Sequence, residues 1–343
     1  MLAVFITGRG RPDRVKIDLT PMPEMTEGQC LVKVHFAGIN YADVVIRTGI
    51  YPDAPKFPFI LGYEFSGVVE RTYNAKKLIQ GDRVIGITMF GGQAEYVCVD
   101  EAQLFKMPEA MSFEAAAALP VNFLTAYFAL YRLGNLREAE KILIHSCAGG
   151  VGTAAVQLAL IKNAEIFGTV SATEKAKFLE EIGVQHPLDY KQSDFRAEVR
   201  RLTEGAGVDL VLDPIGGPNF RKSYSLLKPG GRIICYGVAD FFAGRRFGIL
   251  GLLWKYLSMP RVRTLDLMQD NRGVHGLALN RLLQKAAEIR EIMNRIIELH
   301  VEGRIRPVIS KVFDFRRAPE AHAWLESGRS TGKLLLRFAG EGN

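Results

Sequence analysis

The run His145-Ser-Cys-Ala-Gly149-Gly150-Val151-Gly152 carries the most specific chemistry in the chain. It lies between a strand pattern, Lys141-Ile-Leu-Ile-His145, and helical apolar spacing over 153–162, marked by Ala155, Val156, Leu158 and Ala159. Glycines in such a turn allow a tight bend, close approach of the backbone to a pyrophosphate and close packing of helix on sheet. The helix N-terminus then offers free N–H groups to the anion. A strand, a glycine turn and a helix in this order point to a dinucleotide ligand.

Which dinucleotide is read at the end of the second strand, about 20 residues on, where an NAD site usually places a carboxylate for the ribose 2′-hydroxyl. Here the segment is Gly168-Thr-Val-Ser171-Ala-Thr-Glu174-Lys175, hydroxyls followed by a lysine, with Glu174 already inside the next helical pattern. With no clear acid at the strand end and a cation nearby, the 2′-phosphate of NADP(H) is favoured, and Tyr190, ending the third strand, could reach the same phosphate. Tyr224 and Lys228 share the spacing of the tyrosine–lysine pair of short-chain dehydrogenases. They run straight into Pro229-Gly-Gly without a suitably placed serine, and read as an ordinary helix end.

These residues need a frame that brings strand ends together. Strand patterns recur at 165–170, 184–190, 208–213 and 232–237, with helical patterns between them at 173–182 and 217–227 and a sixth strand at 273–279. That alternation predicts a doubly wound parallel sheet, a Rossmann domain, over 123–280. Up to residue 122 the texture is short alternating apolar stretches broken by Pro and Gly, which predicts a β-rich domain with helices near 41–48 and 112–118. A helical pattern covers 281–301, and 308–315, 318–327 and 333–338 read strand, helix, strand. That tail is expected to pack back on the first domain, making a discontinuous unit of 1–122 and 281–343. The fold class is therefore α/β.

A chain of 343 residues with 48% hydrophobic and 24% charged residues is long enough for two globular domains, and is neither disordered, collagen-like nor a disulfide mini-protein. Net charge is +7, unevenly spread, because residues 1–122 hold 12 Lys and Arg against 14 Asp and Glu. Part of the later excess lies in 241–265, where Arg245, Arg246, Lys255, Arg261 and Arg263 meet no acid. The aromatic stretch 241–260 reads first as a buried helix after the fifth strand; the sharper hypothesis is that it borders an acceptor pocket and, through 241–263, gives weak contact with a membrane surface. No RNA-binding motif with interleaved aromatics is present, so nucleic acid is not expected. Cys30, Cys98, Cys147 and Cys235 show no CxxC spacing, which suggests neither a zinc ribbon nor a disulfide framework. The start reads as a first strand and no long apolar run follows, so a cytoplasmic protein is expected.

The order of elements, with Gly38-Ile-Asn40-Tyr-Ala-Asp43, Gly49-Ile-Tyr51-Pro, Gly62-Tyr-Glu64-Phe-Ser-Gly67, Gly81-Asp-Arg-Val and Ala148-Gly-Gly-Val-Gly152, resembles the medium-chain dehydrogenase/reductase superfamily over essentially the whole chain. It looks like the zinc-independent quinone oxidoreductase branch. Within that branch, Asp213-Pro-Ile-Gly-Gly, Tyr236-Gly-Val-Ala and Asn271-Arg-Gly-Val-His-Gly look most like the vesicle amine transport protein group. The resemblance implies a GroES-like catalytic domain beside the Rossmann domain, and hydride transfer from NADPH to a quinone or similar conjugated carbonyl.

By that resemblance Asn40 donates its amide to the acceptor oxygen, Tyr51 adds a hydroxyl donor, Asp43 orients the loop and Thr125 faces the nicotinamide. Gly149, Gly150, Val151 and Gly152 match the family's glycine loop, with Cys147 in place of an alanine. That thiol fits the space and reads first as a small packing residue; the alternative is a redox-sensitive thiol whose pKa the helix dipole lowers. Ser171, Lys175, Tyr190 and, across a gapped stretch, Arg329 match binders of the 2′-phosphate. Zinc-dependent relatives carry cysteine and histidine where this chain has Asn40 and Tyr63, so no metal is expected. The strand at 273–279 resembles an edge strand that pairs across a two-fold axis, which implies a homodimer. An NADPH-dependent enoyl or enone reductase would use the same pocket. A non-catalytic nucleotide-fold protein binding lipid or RNA is the reading from another class.

Overall fold

The computed structural model describes residues 1–49, 51, 54–242 and 260–338. The chain divides into two units, one over Met1–Leu124 that resumes at Asn280, the other over Thr125–Leu279.

The first unit is built on strands. Leu2–Ile6 pairs antiparallel with Val15–Leu19 and with Phe59–Ile60. A seven-stranded sheet runs Ile309–Asp314, Lys333–Arg337, Gln29–Ile39, Glu64–Tyr73, Arg83–Ile87, Leu104–Lys106, and Tyr96–Asp100 also pairs with Gln29–Ile39. Alternate residues Cys30, Val32 and Val34 of the central strand turn inward and meet Phe65, Val69, Val84, Val97, Val99 and Leu104. The late strand Lys333–Arg337 is integral to this unit: it lies between Gln29–Ile39 and Ile309–Asp314. Its Leu334 and Leu336 pack with Val4, Val15, Ile39, Phe313 and Phe315.

Helix Tyr41–Arg47 leaves directly from the end of the central strand. Helix Phe113–Ala118 starts at Ser112, whose Oγ accepts from the Ala115 N–H at 3.1 Å, a cap worth about 1 kcal/mol. The pattern over 281–301 predicts one helix, and the structure has two, Leu279–Leu282 and Ala286–Val301. Lys285, at φ −86° and ψ 64°, lies outside the helical region and breaks the run.

The second unit holds a parallel six-stranded sheet in the order His186–Asp189, Glu165–Val170, Lys141–Ile144, Val208–Asp213, Leu227–Cys235, Gly273–Gly276. Helices Gly150–Leu160, Thr173–Glu181, Phe195–Leu202 and Gly217–Tyr224 connect successive strands. In the two middle strands Ile142, Leu143, Ile144, Leu210, Val211 and Leu212 are all buried, as a sheet covered on both faces requires. Two expected strands are shorter than their patterns, 184–190 shrinking to His186–Asp189 and 273–279 to Gly273–Gly276, whereas 232–237 extends back to Leu227. Of the basic aromatic segment 241–263, residues 243–259 lie outside the described residues. Among the described residues no helix is long and apolar enough to cross a membrane.

Candidate functional site

The glycine turn has the geometry its composition predicts. Gly149 is extended at φ −78°, ψ 175° and opens helix Gly150–Leu160, whose first bond runs from the Thr153 N–H to the Gly149 carbonyl at 2.9 Å. The N–H groups of Gly150, Val151 and Gly152 precede that bond, and a helix leaves such groups for an anion. At Gly152 a Cβ would sit 2.4 Å from the Cys147 carbonyl oxygen and 2.5 Å from that of Ser146, so the position tolerates no side chain.

The turn is tied to the neighbouring strand. The Cys147 N–H donates to the Thr169 carbonyl at 3.0 Å, and His145 Nδ1 lies 3.0 Å from Thr169 Oγ1. His145 Nε2 lies 2.8 Å from Ser223 Oγ, which itself donates to the Asn219 carbonyl at 2.8 Å. Ser223 therefore accepts from Nε2–H, and Nδ1 accepts from Thr169. Burial holds this imidazole neutral, with its pKa pushed down to about 4 against the opposing pull of Asp213. His145 is thus a brace between strand, turn and helix.

Cys147 is a packing residue and not an activated thiol. It is fully buried, and burial raises its pKa. A Cβ on Gly168 would come within 2.8 Å of its Sγ, which shows how closely the sulfur fills the seam between turn and strand. Desolvation of the thiolate outweighs the helix dipole at this position.

The second strand ends at Val170, Ser171 follows at once, and Glu174 is the second residue of helix Thr173–Glu181. The Tyr190 N–H donates to the Val170 carbonyl at 3.1 Å, which sets the exposed Tyr190 beside the start of Ser171. Lys175 lies in the first turn of that helix, its N–H on the Ala172 carbonyl, and burial lowers its pKa. Asp189, a carboxylate that no sequence pattern singles out, already accepts from the Lys191 N–H at 3.0 Å and from Gln192 Nε2 at 3.2 Å. At the end of the fourth strand Asp213 Oδ1 accepts from the N–H groups of Ile215 and Gly216 and from Asn219 Nδ2. Those bonds shape the turn at Gly216 and Gly217, both at positive φ. Thr125 is buried on helix Pro120–Tyr127.

In the first unit the register of three strands builds a second centre. Leu334 stands opposite Ile39 and Phe65 opposite Ala37, so the next positions along, Lys333 and Glu64, flank Asn40 and Gly38. Lys333 Nζ donates to Asn40 Oδ1 at 2.5 Å and forms an ion pair with Glu64 Oε1, while Asn40 Nδ2 donates to the same Oε1 at 3.0 Å. The Val121 N–H donates to Glu64 Oε2 at 2.7 Å. Gly38 makes room for that carboxylate, since a Cβ there would lie 2.5 Å from Oε1. Lys333 is 2% exposed, Glu64 0% and Asn40 8%.

Asp43 caps helix Tyr41–Arg47 from within: its Oδ2 accepts from the Asn40 N–H at 2.9 Å and from Gln93 Nε2 at 3.4 Å. Burial pushes its carboxyl up to about 7 against these bonds and the Lys333 charge. Tyr51 packs on the adjoining apolar cluster of Ile6, Ile46, Phe59, Leu61 and Tyr63, which Val121 also joins. Arg329 belongs to this unit too, its guanidinium 4.2 Å from the Trp324 ring centroid and its Nε on Ser327 Oγ at 3.1 Å.

The structure thus pairs Asn40 with Asp43, and bonds the glycine turn to the strand whose end carries Ser171 and, one bond across, Tyr190. Sequence reasoning missed Glu64, Gln93 and Lys333 as members of the Asn40 centre. A signal existed for Lys333, a cation heading the buried apolar run Leu334-Leu-Leu336. Among the described residues, no group of three or more His, Cys, Asp and Glu side chains is arranged to hold a metal ion.

A strand-rich domain with a late returning strand, together in one chain with a parallel nucleotide-type sheet that carries a glycine turn, defines a medium-chain dehydrogenase/reductase. The alcohol dehydrogenase GroES-like domain family matches residues 26–109, and the family described as zinc-binding dehydrogenase matches 182–336. The synaptic vesicle membrane protein VAT-1 homolog of Mus musculus is 38% identical over 340 residues, 97% of this chain and 82% of that protein. The crystal structure of the human VAT-1 homolog-like protein superposes with a TM-score of 0.86 at 32% identity, over 100% of this chain and 99% of that one. The Escherichia coli quinone oxidoreductase in complex with NADPH gives a TM-score of 0.88 at 26% identity, over 98% of this chain and 100% of that one. The chain belongs to the VAT-1-like family of the medium-chain dehydrogenases/reductases, an oxidoreductase superfamily.

Proposed function

We propose that this protein transfers a hydride from NADPH to a quinone or similar conjugated carbonyl without zinc. The observation that carries the reading is the carboxyl end of strand Glu165–Val170. There Ser171 follows the strand, Tyr190 is bonded beside it and Lys175 lies in the next helical turn, while Asp189 is engaged by Lys191 and Gln192. Hydroxyls and a cation in that place suit a 2′-phosphate better than a bare ribose hydroxyl. The N–H groups of Gly150, Val151 and Gly152, after the extended Gly149, suit the pyrophosphate, and Thr125 is assigned to the nicotinamide. Arg329 is a further candidate for the 2′-phosphate.

The donor set around Asn40 does not fit zinc. The amide oxygen is taken by the Lys333 ammonium and Glu64 is paired with the same ammonium, so a metal ion there would meet a cation at close range. When bound, NADPH supplies the hydride. Asn40 donates to the acceptor oxygen, Tyr51 adds a hydroxyl donor that can pass on a proton, and Asp43 holds the helix start that carries Asn40. Strand Gly273–Gly276, at the edge of the parallel sheet, supports a homodimer formed by edge pairing. We assign the protein to the cytoplasm, with weak membrane-surface contact through 241–263.

The test is NADPH oxidation by the purified protein against a panel of quinones and enones, with NADH in parallel and with Lys175→Ala. Quinone-dependent turnover that prefers NADPH, with roughly tenfold weaker preference in the variant, is expected. Turnover of enones alone keeps the site and moves the substrate class. NADPH binding without turnover on any acceptor overturns the reductase reading in favour of a binding protein.

A further inference from the structure

We infer that Lys333 and Glu64 form a buried ionic brace that locks the Asn40 carboxamide in one orientation and presents its second Nδ2 hydrogen to the acceptor. They are positioning residues for the site. The inference rests on the function proposed above, in which Asn40 contacts the acceptor oxygen.

A free carboxamide can exchange its oxygen and nitrogen by a half-turn about its last bond, which would offer a lone pair where a donor is needed. The surroundings of Asn40 forbid that exchange by charge. Its oxygen faces the Lys333 ammonium at 2.5 Å and its nitrogen faces Glu64 Oε1 at 3.0 Å. The flipped amide would set oxygen against carboxylate and N–H against ammonium, among side chains that are all buried, where each contact is strong. One Nδ2 hydrogen is committed to Glu64 and the second remains to be offered. The ammonium on Oδ1 also draws electron density from the amide nitrogen, which sharpens that second hydrogen as a donor.

The brace is itself held in place from the Glu64 side and by strand register. Glu64 Oε2 is bonded to the Val121 N–H, and Gly38 lacks the Cβ that would displace the carboxylate. Strand register sets Lys333 against Asn40 and Glu64 against Gly38, so no flexible loop intervenes. Stability alone is a weak reason for such a pair, because apolar residues of similar volume often do as well. An ammonium and a carboxylate that read opposite ends of one amide have a reason to be there together.

The experiment follows the Asn40 side-chain amide resonance in isotope-labelled protein with NADPH bound, and kcat/KM for a quinone, in Lys333→Met, Glu64→Gln and Lys333→Arg. Lys333→Met and Glu64→Gln should each shift the resonance and speed its exchange with solvent, with melting temperature and NADPH affinity measured alongside as controls for folding. Lys333→Met should lower kcat/KM roughly tenfold to a hundredfold, Lys333→Arg should recover part of it, and the loss should vanish in an Asn40→Ala background. A resonance unmoved in either folded variant, or a Lys333→Met loss that persists undiminished in Asn40→Ala, overturns the brace. If Lys333→Met does not fold, Glu64→Gln, with Lys333 in place, carries the test. If the parent protein reduces no acceptor, the functional reading fails and the resonance alone decides the brace.

Discussion

Asn40 and Lys333 stand 293 positions apart in the chain and 2.5 Å apart at Oδ1 and Nζ. Two paired strands place them: the central strand ends as it reaches Asn40, and the returning strand begins at Lys333. Glu64, one strand further on, neutralises the ammonium, and none of the three is more than slightly exposed.

Removing one partner of this pair leaves a buried charge alone. Lys333→Met is expected to destabilise the protein by about 3–5 kcal/mol, and Lys333→Met with Glu64→Gln by markedly less. Urea unfolding of the two variants against the parent checks the ordering.

His322 offers a cleaner pH test. It is fully buried with neither ring nitrogen partnered among the described residues, and burial beside Arg47 pushes its pKa down to about 3. The unfolded chain binds the proton near pH 6.5, so the folded state loses stability as pH falls from there towards about 3. His145, held to about 4, acts in the same direction. His322→Leu should match or exceed the parent at neutral pH, by about 1 kcal/mol, and show a shallower decline in acid. Unfolding midpoints across that range decide it.

Asp43 has the opposite sign. Its folded pKa, about 7, lies above the ordinary 3.8, so the stability it confers in acid is lost as pH rises through about 7. Asp43→Asn removes this titration. Its unfolding midpoint relative to the parent should improve steadily between about pH 4 and pH 7 and then level off, which a pH series of urea titrations measures.

The four thiols are expected to be slow nucleophiles. Burial raises the pKa of Cys30 to about 11 and of Cys235 to about 12, and raises those of Cys98 and Cys147 as well. A thiol-reactive dye at neutral pH should label native protein far more slowly than urea-unfolded protein, with Cys147 among the last positions modified by mass spectrometry.

On the cofactor reading proposed above, Gly152→Ala is expected to fold less stably and to bind NADPH roughly tenfold or more weakly than the parent, because the methyl group must push away the Cys147 and Ser146 carbonyls. Fluorescence titration with NADPH, beside a thermal melt, separates the two effects.

The parts of this molecule that are legible in its sequence are those whose partners are near in the chain. The glycine turn needs a strand before it and a helix after it, and all three lie within a few turns of one another, so the residue pattern alone places Gly149 to Gly152. Ser112 announces its helix for the same reason. The Asn40 centre depends on the register of strands drawn from three distant segments, and no local pattern says that Lys333 is buried or that it faces an amide. Glu64 sits inside a recognised motif, yet its role depends on the missing side chain at Gly38 and on Lys333. The helix expected over 281–301 fails locally, because apolar spacing continues across Lys285 while the backbone does not.

The placement of Lys333–Arg337 inside its sheet also fixes an order of events at the ribosome. The parallel sheet of Thr125–Leu279 comes from one uninterrupted stretch and can close as it emerges. The other unit cannot, because the strand that seals its interior is translated after the whole nucleotide unit has been made. Until then a nascent chain holds Glu64 without its counter-ion and the edge of Gln29–Ile39 without its neighbour. Polypeptides halted before Lys333 should therefore be substrates for chaperones and proteases even though their nucleotide unit is complete.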